Sequence, residues 1–394
     1  MHKNKNVEIL SLTAFFVLVS LFSWVYLLPL HLKELGASDR QIGFSYTLFI
    51  LSFTIFQFMG GFLVDRFGRK TMIVIPGYFY PPLYLLMALS RNWFMVTLCF
   101  FFVNMASSFQ TPAFFPFVAE SSENRERAFA LFNASASFGV GVGTLTGSFI
   151  IKPIGIQNMM IITACIYLFA ATLRHFFLKE TRHKITSMDN NSFPEKISLP
   201  PFNTALLSFL IIASLISLSI SLTVNGPFIT LYLKEALFKT KEQINLLYAS
   251  GWITASLLSF IGGNLAKNYG AHKILGLSVL LHPLFLILYF LPFNYPFPTI
   301  FLFLISFIFF QLIAIAQPLV LTSLTRIEER GRITGLFGAV TGLFSSVGPT
   351  VGTELKIAFG GLSPFILAQI WGILALIAFI IHRIRRKRLF TRQK

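Results

Sequence analysis

Residues 60–70 read GGFLVDRFGRK and set one acid and three bases within six positions, Asp65 to Lys70, directly after a long apolar run. Only 12% of the chain is charged, so the cluster is conspicuous, and its residue types suit a switchable ion-pair contact. Asp65 falls at the end of a predicted helix, where the dipole disfavours an anion, so its charge calls for a partner from another segment. Gly61 removes a side chain where that helix must approach a neighbour, and Gly68 permits a tight turn. Arg66, Arg69 and Lys70 serve either in the same contact or as anchors on the positive side of a membrane.

Where the acids fall bounds the remaining chemistry. All 15 Asp and Glu residues sit at the ends of apolar runs or between them, whereas a proton relay ordinarily uses a carboxylate near the bilayer midplane. His31 and Glu354, near the outer ends of the first and eleventh runs, remain as groups for proton coupling that could reach an outward-open cavity. His282, in the ninth run, reads as structural. Metal-dependent or acid–base enzymes need clustered carboxylates; Glu120, Glu123 and Glu126, and Glu328 with Glu329, come nearest and read as loop ion pairs. The expectation is a chain that is not an enzyme and has no cofactor and no metal site.

The elements that position these residues are apolar runs of membrane-crossing length. Hydrophobic residues make up 55% of the 394, Phe alone numbers 47, and mean hydropathy is +0.72, far from the usage of a soluble domain. Twelve runs cover roughly 9–31, 41–63, 71–90, 93–118, 129–151, 158–178, 205–231, 243–265, 272–291, 298–322, 333–355 and 364–382, each about 20 residues, the length that crosses ~30 Å of hydrocarbon. They lack the alternation of a barrel strand, so helices are the physical choice. Cys99 and Cys165 fall inside runs and read as small apolar fillers rather than a disulfide. With twelve spans, 24 of the 32 Lys and Arg residues lie on the side of both termini. The positive-inside rule makes that side cytoplasmic in a multi-pass protein of the cell (inner) membrane. The net charge of +17 is thus topology, together with attraction of the tail RIRRKRLFTRQK to anionic lipid headgroups rather than nucleic acid.

The 60–70 segment returns as GGNLAKNYGAHK from 262, about 200 residues later. LHLKELGASDRQIGFSY at 30–46 parallels LYLKEALFKTKEQINLLY at 231–248, and ENRERAFALFNA at 123–134 parallels EERGRITGLFGA at 328–339. Three echoes in one order mean an internal duplication. Each copy holds six spans, so both share one orientation and are related by a pseudo-twofold axis along the membrane normal. The predicted architecture is all-α: twelve transmembrane helices in two six-helix bundles, 1–178 and 205–383, with a cytoplasmic loop at 179–204 and a basic tail at 384–394.

The segment from Gly61 to Lys70 resembles the loop 2–3 signature of the major facilitator superfamily, and LPLHLKELGASDRQIG resembles that family's first external loop. The resemblance covers the whole chain. It implies that Asp65 caps the eleventh span near Ile333 to Gly335 and meets Arg125 or Arg127, latching the halves on the cytoplasmic side when the carrier is outward-open. In the second copy Lys267 replaces the acid, so the halves are unequal in charge. Span five carries Gly139, Gly141, Gly143 and Gly147, a close-packing pattern. It has Thr144 where drug/proton antiporters of the family have a Gly-Pro proline, while Gly348-Pro349 stands in span eleven.

The resemblance further implies a cavity lined by spans one, two, four, five, seven, eight, ten and eleven. Their polar and aromatic residues are Trp24, Tyr26, Tyr46, Gln57, Asn104, Gln110, Asn133, Asn225, Tyr248, Trp252, Gln311 and Gln317. Such a cavity is neutral with aromatic faces and suits an uncharged or amphipathic solute better than a small anion. The expected function is alternating-access secondary transport of a small neutral or amphipathic molecule by a monomer, with proton-coupled drug efflux as the alternative and a transporter-fold sensor as a lesser one.

Overall fold

The computed structural model describes residues 2–181, 204–291, 300–325 and 330–391, which form helices and short connections. Span one is α1 (His2–Phe22), a 3-10 turn at Val25–Leu27 and α2 (Leu28–Glu34). Span two is α3 (Asp39–Phe67), span three α4 (Arg69–Gly77) with α5 (Tyr80–Leu89), and spans four to six α6 (Trp93–Glu120), α7 (Arg125–Ile154) and α8 (Ile156–Phe177). The second half repeats the plan: α9 (Thr204–Ser221) with α10 (Phe228–Glu235), α11 (Lys241–Tyr269), α12 (Ala271–Phe290), α13 (Ile300–Ser323), α14 (Arg330–Phe359) and α15 (Ser363–Thr391).

Local chemistry sets the ends and breaks at equivalent places. Ser38 and Gln41 form a capping box that starts α3, and Thr240 and Gln243 form one that starts α11, satisfying donors a helix start leaves free. The same helices end at Gly68 (φ +92°) and Gly270 (φ +88°), a conformation that glycine adopts without strain. Span one breaks before Pro29 and span seven at Gly226-Pro227, and Pro76, Pro81 and Pro82 flank the break in span three, because proline supplies no N–H to the helix ladder.

Among the described residues nine segments are long and apolar enough to cross a bilayer. A shorter apolar helix covers Ala205–Ser221, and glycines set the close approaches between helices. Gly139 and Gly143 on α7 face the Phe15 and Val19 carbonyls of α1, where a Cβ would stand 2.9 and 2.6 Å away, and one on Gly147 would overlap the Ser23 carbonyl. In the second half Gly348 and Gly352 on α14 play the same part against Ser221, Leu222 and Phe228. The other faces of these two helices join the halves: Gly141 meets Ile253 of α11, and Gly342 meets Thr54 of α3.

The sequence placed Gly61 at a close helix approach, and the structure moves that role to its neighbour. A Cβ on Gly61 would have nothing within 4 Å, whereas one on Gly60 would lie 2.6 Å from the Ser108 carbonyl of α6. One residue is 100° of helix rotation, enough to turn Gly61 off the α6 contact. Arg174, one of the 24 cations assigned to the side of the termini, is 95% buried: its Nε donates to Thr13 Oγ1 at 2.9 Å and its guanidinium lies 5.9 Å from the Phe114 ring. The central loop at 179–204 lies mostly outside the described residues. At the other end α15 stays helical to Thr391, so span twelve runs unbroken into the basic segment expected as a separate tail.

Candidate transport pathway

The face bearing the ends of α3, α6 and α8 is termed the terminal face, and the one bearing the starts of α3 and α11 the distal face. On the distal face the halves are joined by charge. Lys33 lies 3.1 Å from Asp39 and also pairs with Glu235, and Lys356 lies 2.8 Å from both Asp39 and Glu235. The four side chains close a ring of alternating sign, two members from each half, with Lys356 only 10% exposed. Beside it Lys241 pairs with Glu34 at 2.7 Å, and Arg40 donates to both oxygens of Glu354 at 2.9 and 3.1 Å.

A second layer lies deeper. The rings of Tyr26 and Tyr248 stack across the halves, 3.9 Å apart and 4° from parallel. Trp252 Nε1 donates to the Tyr26 hydroxyl at 2.6 Å, and Asn245 Nδ2 to the Ser23 carbonyl at 2.9 Å. Thr230 Oγ1 donates to the Tyr26 carbonyl at 2.8 Å and lies 3.2 Å from the Tyr248 hydroxyl. On the other seam Thr47 and Thr350 share a hydrogen bond at 2.8 Å.

Space remains between the halves on the terminal side of this layer. A cavity of about 740 Å³ opens between α1, α7, α11 and α13, lined by Phe15, Phe138, Ile253, Leu257 and Ile315 and by the polar Asn133, Ser135, Ser137, Ser256 and Gln311. Among the described residues no charged side chain lines it, and the buried Ser256 Oγ has no hydrogen-bond partner. The volume lies within the range of small-molecule sites.

At the terminal face the signature loop is held within its own half. Glu180 accepts from the Arg69 and Lys70 backbone N–H groups at 3.2 and 3.1 Å, and the Arg69 guanidinium pairs with Glu120 at 3.2 Å. Arg125 and Arg127 are exposed. The Asp65 side chain lies outside the described residues. Arg66 is exposed, with its guanidinium 5.5 Å from the Phe67 ring.

Of the twelve cavity residues read from the sequence, the structure brings two, Asn133 and Gln311, onto the cavity wall. Tyr26, Tyr248 and Trp252 are off its wall, in the inner layer, with half-buried Tyr46 over Phe49 nearby. Three others belong to the interior of the first half. Trp24 is fully buried and donates to Thr163 at 2.9 Å; Gln110 bonds the Ile73 carbonyl and the Tyr80 hydroxyl; Asn104 donates to the Phe100 carbonyl at 2.8 Å. Trp24 and Gln110 spend their hydrogen bonds on neighbouring helices of the first half, and half-buried Asn104 bonds within its own helix. Gln57 is half-buried opposite Gly338, Gln317 is half-buried on α13, and Asn225 is exposed at the break of span seven.

The proton-coupling candidates separate. His31 is buried, its Nε2 without a hydrogen-bond partner among the described residues. Glu354 is 52% exposed and held by Arg40. His282 is buried against Thr223 Oγ1 and Ser306 at 3.1 and 2.9 Å, as a structural residue should be. Sequence reasoning missed the distal ring. Its signal was the repeated charge pattern at 33–40 and 234–241, which the topology count absorbed as loop residues.

A family model described as "Major Facilitator Superfamily" matches residues 10–220 and 207–394, and the chain belongs to that family. The quinolone resistance protein NorA of Staphylococcus aureus is 22% identical over 360 residues, 89% of this chain and 90% of its own. The multi-drug resistance efflux pump PmrA of Streptococcus pneumoniae is 25% identical, and the match spans 63% of each chain, just under two thirds. Among solved structures, a bacterial homolog of the human lysosomal transporter Spinster, described as inward-facing and unoccupied, superposes with a TM-score of 0.75 at 13% identity, over 97% of this chain and 95% of that one. The fold is therefore that of a multi-pass membrane transporter.

Proposed function

We infer that the chain is an alternating-access secondary transporter of neutral or amphipathic solutes, working in the direction of export from the cell, and that its terminal face is cytoplasmic. The observation that carries the reading is the asymmetry of the two faces: the halves are pinned together by a charge ring and an inner aromatic layer on one side and leave between them, on the other, a cavity of about 740 Å³ with no charged side chain among its described lining residues. The twelve-span reading of the sequence assigns 24 of 32 basic residues to the side of the termini, and by the positive-inside rule this is then the inward-facing form. Asp65 and the signature loop then act in the opposite form, closing on the start of α14 when the distal contacts release. The printed descriptions of NorA and PmrA, resistance and multi-drug efflux, support export of amphipathic compounds. The carrier works as a monomer, with the basic end of α15 against anionic headgroups.

Purified protein in vesicles tests this. A lipophilic fluorescent dye preloaded on the side of the terminal face is expected to move faster than in protein-free vesicles, and Ser256→Trp, which fills the cavity, is expected to remove the excess flux. Equal flux with and without protein, across neutral and cationic dyes and at both acidic and alkaline pH, overturns the reading.

A further inference from the structure

The inner layer is built around the break in span one. In a continuous helix the Ser23 carbonyl would take the Leu27 N–H, but that N–H goes to Trp24 at 2.8 Å. The Ser23 carbonyl is left to the Asn245 amide, and the Tyr26 carbonyl takes the Thr230 hydroxyl. A backbone acceptor inside a membrane bundle must have a donor, and here the other half of the molecule supplies it. Gly147 makes room: a Cβ there would overlap the Ser23 carbonyl and stand 2.7 Å from the Asn245 amide nitrogen.

The arrangement is one-sided. Aligned on their capping boxes, α3 and α11 set Gly43 opposite Asn245 and Ile50 opposite Trp252, and the parallel LHLKE and LYLKE segments set Pro29 opposite Thr230. None of Pro29, Gly43 and Ile50 has a side-chain donor, so these positions of the first half offer no such bonds to the break in span seven. The duplication has kept the two breaks and placed the donors in the second half alone.

We propose that Asn245, Thr230 and Trp252 form an inner lock that captures the broken backbone of span one in this form, and that the transported solute releases it from below through Trp252. Trp252 stands one turn above Ser256 and beside Ile253, both of which line the cavity, and its ring packs against Phe307 and Phe310 at 6.0 and 5.9 Å. A solute that fills the cavity and shifts this indole breaks its bond to the Tyr26 hydroxyl, the one lock contact made by a side chain on each half. The inference rests on the transport reading above and adds to it the residues that set the balance between forms.

Two spin labels test it, on cysteines at Arg91 and Phe238, exposed distal positions of the two halves, with Cys99 and Cys165 replaced by serine. The parent should show one short distance population. Asn245→Leu and Thr230→Val should each raise a longer population about threefold, and together about tenfold, at the strength usual for hydrogen bonds inside membrane bundles. Trp252→Phe, which keeps the ring and loses the N–H, should raise it too and blunt the further increase caused by the lipophilic dye. Lys356→Gln, which breaks the outer ring, serves as the positive control. A longer population in Lys356→Gln but not in Thr230→Val or Asn245→Leu overturns the inner lock and leaves alternating access standing. A single fixed distance in every variant, with no dye flux, overturns the transport reading itself. Thr230→Val, which loses only the hydroxyl, keeps the test valid where Asn245→Leu does not fold.

Discussion

The distal ring makes a quantitative demand on Lys356→Gln. Lys356 is the least exposed member, and its ammonium lies 2.8 Å from Asp39 across the halves and 2.8 Å from Glu235 within its own. Hydrogen bonds to charged groups contribute about 1.5–3 kcal/mol when well shielded. Asp39 and Glu235 are 25% and 32% exposed, which draws the value towards the 0–1 kcal/mol of surface pairs. Only the Asp39 contact links the halves, but its loss also leaves two carboxylates facing Lys33 alone. A net cost of about 1–2 kcal/mol to this form follows, which is a five- to thirtyfold shift towards the distally open one. The label pair at 91 and 238 reads that shift directly. Salt provides an internal control: the Debye length falls from ~10 Å at 0.1 M to ~3 Å at 1 M, so the parent should open further in high salt and the variant should respond less. Exchanging the charges, Asp39→Lys with Lys356→Asp, should recover part of the closed population. A shift under twofold in Lys356→Gln, with unchanged salt response, refutes the ring as a determinant of the closed distal face.

Three further outcomes follow from the same geometry. Glu354→Gln should change the balance between forms by about twofold or less, because Arg40 and Glu354 are 68% and 52% exposed; loss of any pH dependence of transport in this variant would instead return Glu354 to proton coupling. Gly147→Ala should cut the yield of folded protein severely, since its Cβ meets the Ser23 carbonyl, whereas Gly61→Ala, with nothing within 4 Å, should fold as the parent does; equal melting temperatures for the two would contradict the packing argument. Arg174→Met should lower the melting temperature less than Thr13→Leu does, because the first removes a buried charge with its need for partners, while the second leaves that charge without its acceptor; the reverse order would show that Arg174 has a partner besides Thr13 and the Phe114 ring.

The fold was legible because it rests on features with a length scale. Runs of about 20 apolar residues and a repeat of six spans leave few ways to fold in a bilayer, and the paired capping boxes and glycine stops at Ser38, Thr240, Gly68 and Gly270 are local chemistry. The site was legible only in part because side-chain direction turns by 100° per residue and polarity does not say which neighbour satisfies it. Trp24, Gln110 and Asn104 carry the same signal as Asn133 and Gln311, yet the first three spend their hydrogen bonds within the first half. Position in the repeat discriminates better than polarity does. Pro29, Gly43 and Ile50 against Thr230, Asn245 and Trp252 is a difference between two copies under one fold, and a difference that the shared architecture does not require must answer to something the copies do not share. Here that is the direction in which the lock faces: donors on the second half, bare carbonyls on the first, and a cavity one turn below the indole that joins them. The pseudo-twofold axis along the membrane normal relates the halves and not the two faces, so these unequal residues set which half supplies the donors of the lock and which the acceptors.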